Sequence, residues 1–416
     1  MKRTSSARPT FRFGWDESSF LLGAISLRRM ADLDSVRLCF REGSDSTMPE
    51  LHINVVVEET TYEKPTAWRL LGSKGKAGHV IALCDRNGIK PESLLEVGAG
   101  DGAILRSLSD KHFCDNMHAV EISKSGVEVI LEQNISGLRS CQVFDGYSLP
   151  FQDNAFDLVV LSHVLEHVEH ERALLREILR VSKFQVIEIP MDCNVLHDEV
   201  YHALGPSYGH INARSPDSLR FLLTTENMVV IDDDLGKYEL DLQEYDYFVN
   251  NSRERSEAAV GEFRRRYHED EKRFNSLQGN DKVKAANYYA VLTRAETTEE
   301  RTKRAVSAAK KAIASGRVQA SRLIFDHFIS QEKIDDCALE IAAEFAEARP
   351  DIALEYLERI SPARANSEDV VRVRGLAASA NRATAVTLHA KPAKGLRAKI
   401  GRVLTFLARV SRASRK

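Results

Sequence analysis

Three carboxylates spaced by strand-length runs, Glu96, Glu121 and Asp145, are the residues whose types and positions could do chemistry together. Each stands at or beside the end of a short apolar segment: Leu94–Val97, Met117–Glu121 and Ser140–Phe144. Next to the first lies Gly98-Ala99-Gly100-Asp101-Gly102, where glycines let a ligand approach the main chain without a Cβ in the way. A strand that ends there under a helix start brings backbone N–H groups and a helix dipole to one point. Glu121, 25 positions after Glu96, can accept both hydroxyls of a ribose. Asp145 can take an exocyclic amine, and Glu96 can meet a cationic group. Together they describe a nucleoside that carries positive charge and no phosphate. The spacing Gly98-x-Gly100-x-x-Ala103 also satisfies the looser dinucleotide pattern, so the glycines alone leave a nicotinamide-type nucleotide open.

A second group is made of histidines. His163-Val164-Leu165-Glu166-His167 is an H-x-x-E-H string, which elsewhere marks a zinc peptidase. Two histidines four apart on a helix could share a metal. Here the string opens an expected helix directly after a buried strand, and no metal site is expected. His163 follows Ser162 at a strand end, where it could act as a general base or orient an acceptor. His197, His202 and His210 follow Pro190, in a stretch with Gly205, Tyr208 and Gly209 that would line the acceptor side. His210 is the candidate there, as a base or as a structural group.

Strands and helices alternate around these residues. A helix is expected over 66–88, stopped by Gly88 and Pro91. Further helices follow over 101–111, 125–133 and 164–181, with strands over 156–162 and 184–189 between them. Ser215 is an expected N-cap before Pro216, opening a helix to Leu223. A short strand over 228–231 and a late strand over 286–292 complete the set. Such alternation implies a parallel sheet covered by helices on both faces. Strand ends then line one crevice.

At this point the sequence resembles the class I S-adenosylmethionine-dependent methyltransferases, close to the broad type 11 group. Glu96-Val97-Gly98-Ala99-Gly100-Asp101-Gly102, Glu121, Phe144-Asp145-Gly146, Phe151 with Phe156-Asp157-Leu158, Val164-Leu165-Glu166-His167-Val168 and the strand Asn287–Leu292 carry the resemblance. It implies an α/β fold: a doubly wound, seven-stranded Rossmann-like sheet whose seventh strand is antiparallel and inserts beside the fifth. It implies S-adenosyl-L-methionine as methyl donor. Glu96, Gly98, Ala99, Gly100 and Gly102 would hold the methionine part, with Ser162 facing the methyl. Glu121 and Ile122 would hold the ribose, and Asp145 with Gly146 the adenine. A nucleotide oxidoreductase would leave Asp145 and the late strand without a purpose. The competing class is a non-catalytic or scaffold protein that keeps the fold and binds a partner through its helices. Intact Glu96, Glu121 and Asp145 argue for the enzyme.

The resemblance covers roughly residues 65–295. Residues 1–64 form a leading segment with an expected hairpin over 36–58. The polar insertion 235–283, rich in Tyr238, Tyr245, Tyr247 and Phe248, is expected to serve as a lid over the acceptor. Residues 296–390 read as an all-α domain. There Ala320, Leu323 and Ile324 recur 33 positions on as Ala353, Tyr356 and Leu357, a helix-hairpin period. After Asp369 come twelve Lys or Arg residues and no acid, although the net charge of the chain is −3. Within that tail, 391–416 is a basic amphipathic segment that suits an anionic membrane surface or a protein partner. Nucleic acid is not expected, because only Phe406 could stack a base there. The acceptor is expected to be a small molecule or a saccharide. The six cysteines form no C-x-x-C pair, and no apolar export core follows the basic start. Both points suit a cytoplasmic protein, and the basic tail suits a place peripheral to the inner face of a membrane.

Overall fold

The computed structural model describes Tyr62 and residues 66–195 and 209–390. The expected hairpin over 36–58, His197, His202 and the basic segment 391–416 lie outside the described residues. The chain divides between Ala295 and Glu296 into two compact units. No helix of the described residues is long and apolar enough to cross a membrane. Cys84, Cys114, Cys141, Cys193 and Cys337 are free thiols.

The first unit opens with helix α1 (Ala67–Arg86), capped by the Thr66 hydroxyl. Strands β1 (Leu94–Val97), β2 (Met117–Glu121), β3 (Leu138–Val143), β4 (Phe156–Ser162), β5 (Ser182–Pro190), β6 (Met228–Gly236) and β7 (Tyr288–Ala295) form one seven-stranded sheet in the order β3-β2-β1-β4-β5-β7-β6. The first five pair in parallel, and β7 runs antiparallel between β5 and β6. The strand order reverses between β1 and β4, the switch point at which such sheets bind ligands. Central strands read as apolar runs because both faces are covered. Leu95, Val97, Val159 and Leu161 face one buried cluster, while Leu94, Leu158 and Val160 face another. Helices α2 (Ala103–Asp110), α3 (Lys124–Glu132), α4 (Glu171–Val181) and α5 (Pro216–Thr225) connect the strands. Ser215 caps α5 in a reciprocal hydrogen-bonded box with Ser218.

Two expectations are corrected. The helix expected over 164–181 is instead a single 3₁₀ turn, Leu165–His167, followed by α4. His163 takes φ +55° and Val168 is extended, so the chain bends twice before it can coil regularly. The strand expected to end at Ile231 runs on through Asp232-Asp233-Asp234. Three acids discourage a strand reading, but β6 is an edge strand paired only with β7. Its aspartates meet cations instead: Asp232 accepts from Arg86 Nε at 2.9 Å, and Asp233 pairs with Arg220 at 2.9 Å. The insertion holds helices α6 (Leu240–Tyr245), α7 (Glu257–Ser276) and α8 (Gly279–Ala285). Buried Glu244 on α6 accepts from Arg255 and Arg264, which ties α7 to α6.

The second unit is helical: α9 (Thr298–Ala314), α10 (Val318–Phe328), α11 (Ile334–Phe345), α12 (Pro350–Leu357) and α13 (Glu368–Ala390). Val306, Ile313, Phe325, Ile341, Tyr356 and Val370 share its core. The 33-residue correspondence breaks at one of its three positions. Leu323 is 51 % exposed, whereas its counterpart Tyr356 is fully buried and bonded to Ser321 Oγ at 2.6 Å.

Candidate functional site

A cleft of about 240 Å³ opens over the carboxyl ends of β1 and β4. Its floor is Glu96, Gly98, Ala99, Gly100, Asp101, Ser162 and His163. One wall is a stripe of α1 running through Arg69, Ser73, Lys76 and His79; the other is Glu188 with Tyr238 and Glu239.

Glu96 is 2 % exposed, and its Oε2 is buried without a hydrogen-bond partner. Burial pushes its carboxyl well above the ordinary range. Ser162 Oγ and Asp101 Oδ2, the latter 3.6 Å from the Arg69 guanidinium, likewise lack a hydrogen-bond partner. Gly98 takes φ +72°, and a Cβ there would lie 2.6 Å from Val164 Cγ2, so only glycine lets this turn close over the strand end. These features test the donor expected from the resemblance. Unmatched buried acceptors beside a bare main-chain turn suit a ligand with ammonium and sulfonium charge, and the residues fit S-adenosylmethionine. Lys76 lines the same cleft, and burial holds its amine below its ordinary range against the pull of Glu188, Glu166 and Glu96.

Glu121 ends β2 just beneath this floor. Its Oε2 accepts from Gly100 N at 2.8 Å and its Oε1 from Ser123 N at 3.0 Å. It therefore holds the glycine turn in shape, and each oxygen retains a lone pair for a hydroxyl. Tyr62 lies across Gly100, its backbone N–H bonded to Ser125 Oγ and its ring under the Arg69 guanidinium. Ile122, Asp145 and Gly146 form a separate exposed shelf at the β2 and β3 ends. Asp145 Oδ1 already accepts from Tyr147 N and Ser148 N, which lowers its pKa, while Ile122 is 55 % exposed beside Gly146.

Gly102 is not part of the cleft lining and has a packing role. It caps α2 at φ +78°, and a Cβ there would meet Ile130 at 2.9 Å and Ile135 at 3.2 Å. His210 is corrected as well. It does not line this cleft but stands against His167, with ring centroids 4.7 Å apart and Nδ1 2.6 Å from Asp192 Oδ2.

Sequence reasoning missed the group that organises the far wall. Glu188, 1 % exposed, lies between two imidazoles: His79 Nδ1 at 2.7 Å from Oε2 and His163 Nε2 at 3.1 Å from Oε1. Burial alone would raise Glu188, but its two histidine partners hold it well below the usual carboxylate range. Burial would likewise depress His79. Its bonds to Glu188 and Glu239 instead carry it up to about 9. His79 also stacks on Tyr288 at 3.8 Å. The signal was present in two places. Glu188 is a lone acid inside the apolar run Val186-Ile187-Glu188-Ile189, and Arg69, Ser73, Lys76 and His79 recur at helical spacing on α1.

Residues 95–185 match the family model described as "Methyltransferase domain". Among curated proteins, YrhH of Bacillus subtilis (strain 168), provisionally named a methyltransferase, is 29 % identical over 131 residues, or 30 % of this chain and 73 % of that protein. The bifunctional methionine biosynthesis protein MetXA/MetW of Rhodopirellula baltica is 35 % identical over 103 residues, covering 24 % of this chain and 16 % of its own length. Norajmaline N-methyltransferase of Rauvolfia serpentina is 28 % identical over 139 residues, covering 30 % of this chain and 47 % of that protein. The chain thus spans less than half the length of the last two. Among solved structures, phosphoethanolamine N-methyltransferase 2 of Haemonchus contortus in complex with S-adenosyl-L-methionine aligns over 52 % of each chain at 14 % identity, with a TM-score of 0.38.

Proposed function

The chain carries a class I S-adenosylmethionine-dependent methyltransferase domain, and from that premise we propose that it methylates a hydroxyl of a small-molecule or saccharide acceptor. The observation that supports an oxygen acceptor is the oriented imidazole of His163 in the cleft floor. A neutral amine needs little help with its proton, whereas a hydroxyl needs a base.

The donor supplies a methyl group already activated by positive sulfur. Glu96 meets its cationic end and Glu121 its ribose, while Gly98 and Gly100 let it lie on the main chain. Glu188 fixes the His163 ring through Nε2, which leaves Nδ1 to take the acceptor's proton as the new bond to oxygen forms. Glu166 Oε1, 3.6 Å from Nδ1, stabilises the imidazolium that results. Position does most of the work: holding the nucleophile in line can supply about 7–11 kcal/mol. Tyr238 and Leu242, both lining the cleft, belong to the 235–283 insertion and cover the acceptor from above. That part of the insertion acts as the lid.

Calorimetric titration of S-adenosylmethionine into wild type and Glu121→Gln tests the donor site. Micromolar binding is expected in wild type, weakened at least about tenfold in the variant through loss of a charge-assisted hydrogen bond. Absent binding in wild type overturns the proposal. A panel of sugars, polyols and amines, scored by S-adenosylhomocysteine release, then separates oxygen from nitrogen acceptors. The lid is checked by Tyr238→Ala. Acceptor KM should rise about tenfold while donor affinity holds, and unchanged kinetics would reject it.

A further inference from the structure

The 3₁₀ turn Leu165–His167 is clamped to the segment 209–212 by its main chain. Ile211 N and Asn212 N both donate to Glu166 O, at 2.8 and 3.1 Å, and Asn212 Nδ2 donates to Leu165 O and Val168 O at 3.1 and 2.7 Å. The clamp sets His167 and His210 edge to face at an interplanar angle of 82°. One ligand atom from each of Glu166, His167 and His210 falls within 4.8 Å of the others.

Glu166 is 2 % exposed, and both its carboxylate oxygens are buried without a hydrogen-bond partner. No hydrogen bond offsets the desolvation cost of this carboxylate, and His163 Nδ1 is 3.6 Å from its Oε1. The imidazoles beside it are each held from behind. His167 Nδ1 lies 3.1 Å from Gly209 O, and His210 Nδ1 lies 2.6 Å from Asp192 Oδ2. Gly209 is needed for the first contact, because at φ +71° its Cβ would stand 3.2 Å from His167 Nδ1. A carbonyl or carboxylate behind Nδ1 fixes the tautomer and assigns ligation to Nε2, the pattern that supports metal-bound histidine. His167 is exposed, which gives an ion a path from solvent.

We propose that Glu166, His167 and His210 bind one divalent first-row transition-metal ion such as zinc or manganese. Two imidazoles and one carboxylate select this class over calcium and magnesium, which prefer oxygen-only sites. Three protein ligands leave further coordination positions for water or an acceptor oxygen. The site is not the one suggested by the H-x-x-E-H string. His163 turns Nε2 to Glu188 and is excluded from the ligand set, while His210 arrives from the segment beyond β5.

The test uses the tag-free full chain, stripped with chelator and titrated with zinc chloride, then separately with manganese chloride. One saturable site per chain is expected. His167→Ala and His210→Ala should each weaken binding at least about 100-fold, and Asp192→Asn about tenfold through the supporting shell. His112→Ala, an exposed histidine outside the cluster, should leave the titration unchanged. Thermal unfolding of each variant without metal identifies any that fail to fold, and Asp192→Asn, which removes no ligand, then decides. Absence of saturable binding in wild type, or equal titrations for wild type and the folded variants, overturns the site.

Discussion

Glu96→Gln is expected to weaken S-adenosylmethionine binding about 10- to 150-fold and, in the same protein, to remove a pH-dependent loss of stability. Both effects come from one buried carboxyl. Glu96 Oε2 has no partner in the protein, and burial raises the carboxyl well above its ordinary value. The folded chain therefore holds this proton more tightly than the unfolded chain does. Above the unfolded value the unfolded state loses its proton first, so stability falls as pH rises until the folded group also ionises. Glutamine cannot ionise, so the wild type should lose stability relative to the variant between pH 5 and pH 8. A bound cation reverses the balance, because a charge-assisted contact to a desolvated carboxylate is worth about 1.5–3 kcal/mol. Denaturation at both pH values and calorimetry with the donor check the pair of effects. Unchanged donor affinity would show that Glu96 does not meet the cationic end. Parallel stability profiles would show that the carboxyl is not strained by burial.

Much of the frame that makes this argument possible could be read from the chain. The alternation of strands and helices implied a parallel sheet, the family resemblance implied the antiparallel strand beside the fifth, and the observed order follows. Local chemistry was enough for the parallel part, because buried parallel strands must be apolar and their ends must turn. What could not be read depended on partners distant in sequence. Asp232, Asp233 and Asp234 look like a loop until Arg86 and Arg220 are brought to them. Gly102 looks like Gly98 and Gly100 until Ile130 and Ile135 occupy the space beside it. His163 and His167 look like one pair on one helix. A positive φ at His163 breaks that helix and sends the two rings to different neighbours. The H-x-x-E-H spacing was real, but the backbone conformation that would give it meaning was absent.

Glu188→Ala should lower the stability of the first unit by about 3–5 kcal/mol, the usual cost of leaving buried charged partners unmatched. It should also reduce kcat/KM for the acceptor by about two orders of magnitude, because His163 loses the contact that fixes its ring. The pH profile identifies the cause. His79, carried from its ordinary value up to about 9, contributes stability that is complete below about pH 6.5 and is lost as pH rises through 9. Glu188, held low by the same contacts, contributes stability that is complete above about pH 4.5 and is lost on acidification. The two describe one interaction, counted once. A rise from 6.5 to about 9 corresponds to about 3 kcal/mol. Urea unfolding of the wild type should therefore show, beyond the loss due to Glu96, a further fall of about 3 kcal/mol between about pH 6.5 and pH 10. In Glu188→Ala that alkaline fall should shrink strongly, with only the weaker Glu239 contact left to His79. Trp68 lies on α1, so its fluorescence follows the first unit. If the variant keeps the full alkaline slope, the histidine pair does not organise this wall, and His163 must owe its orientation to Glu166 alone.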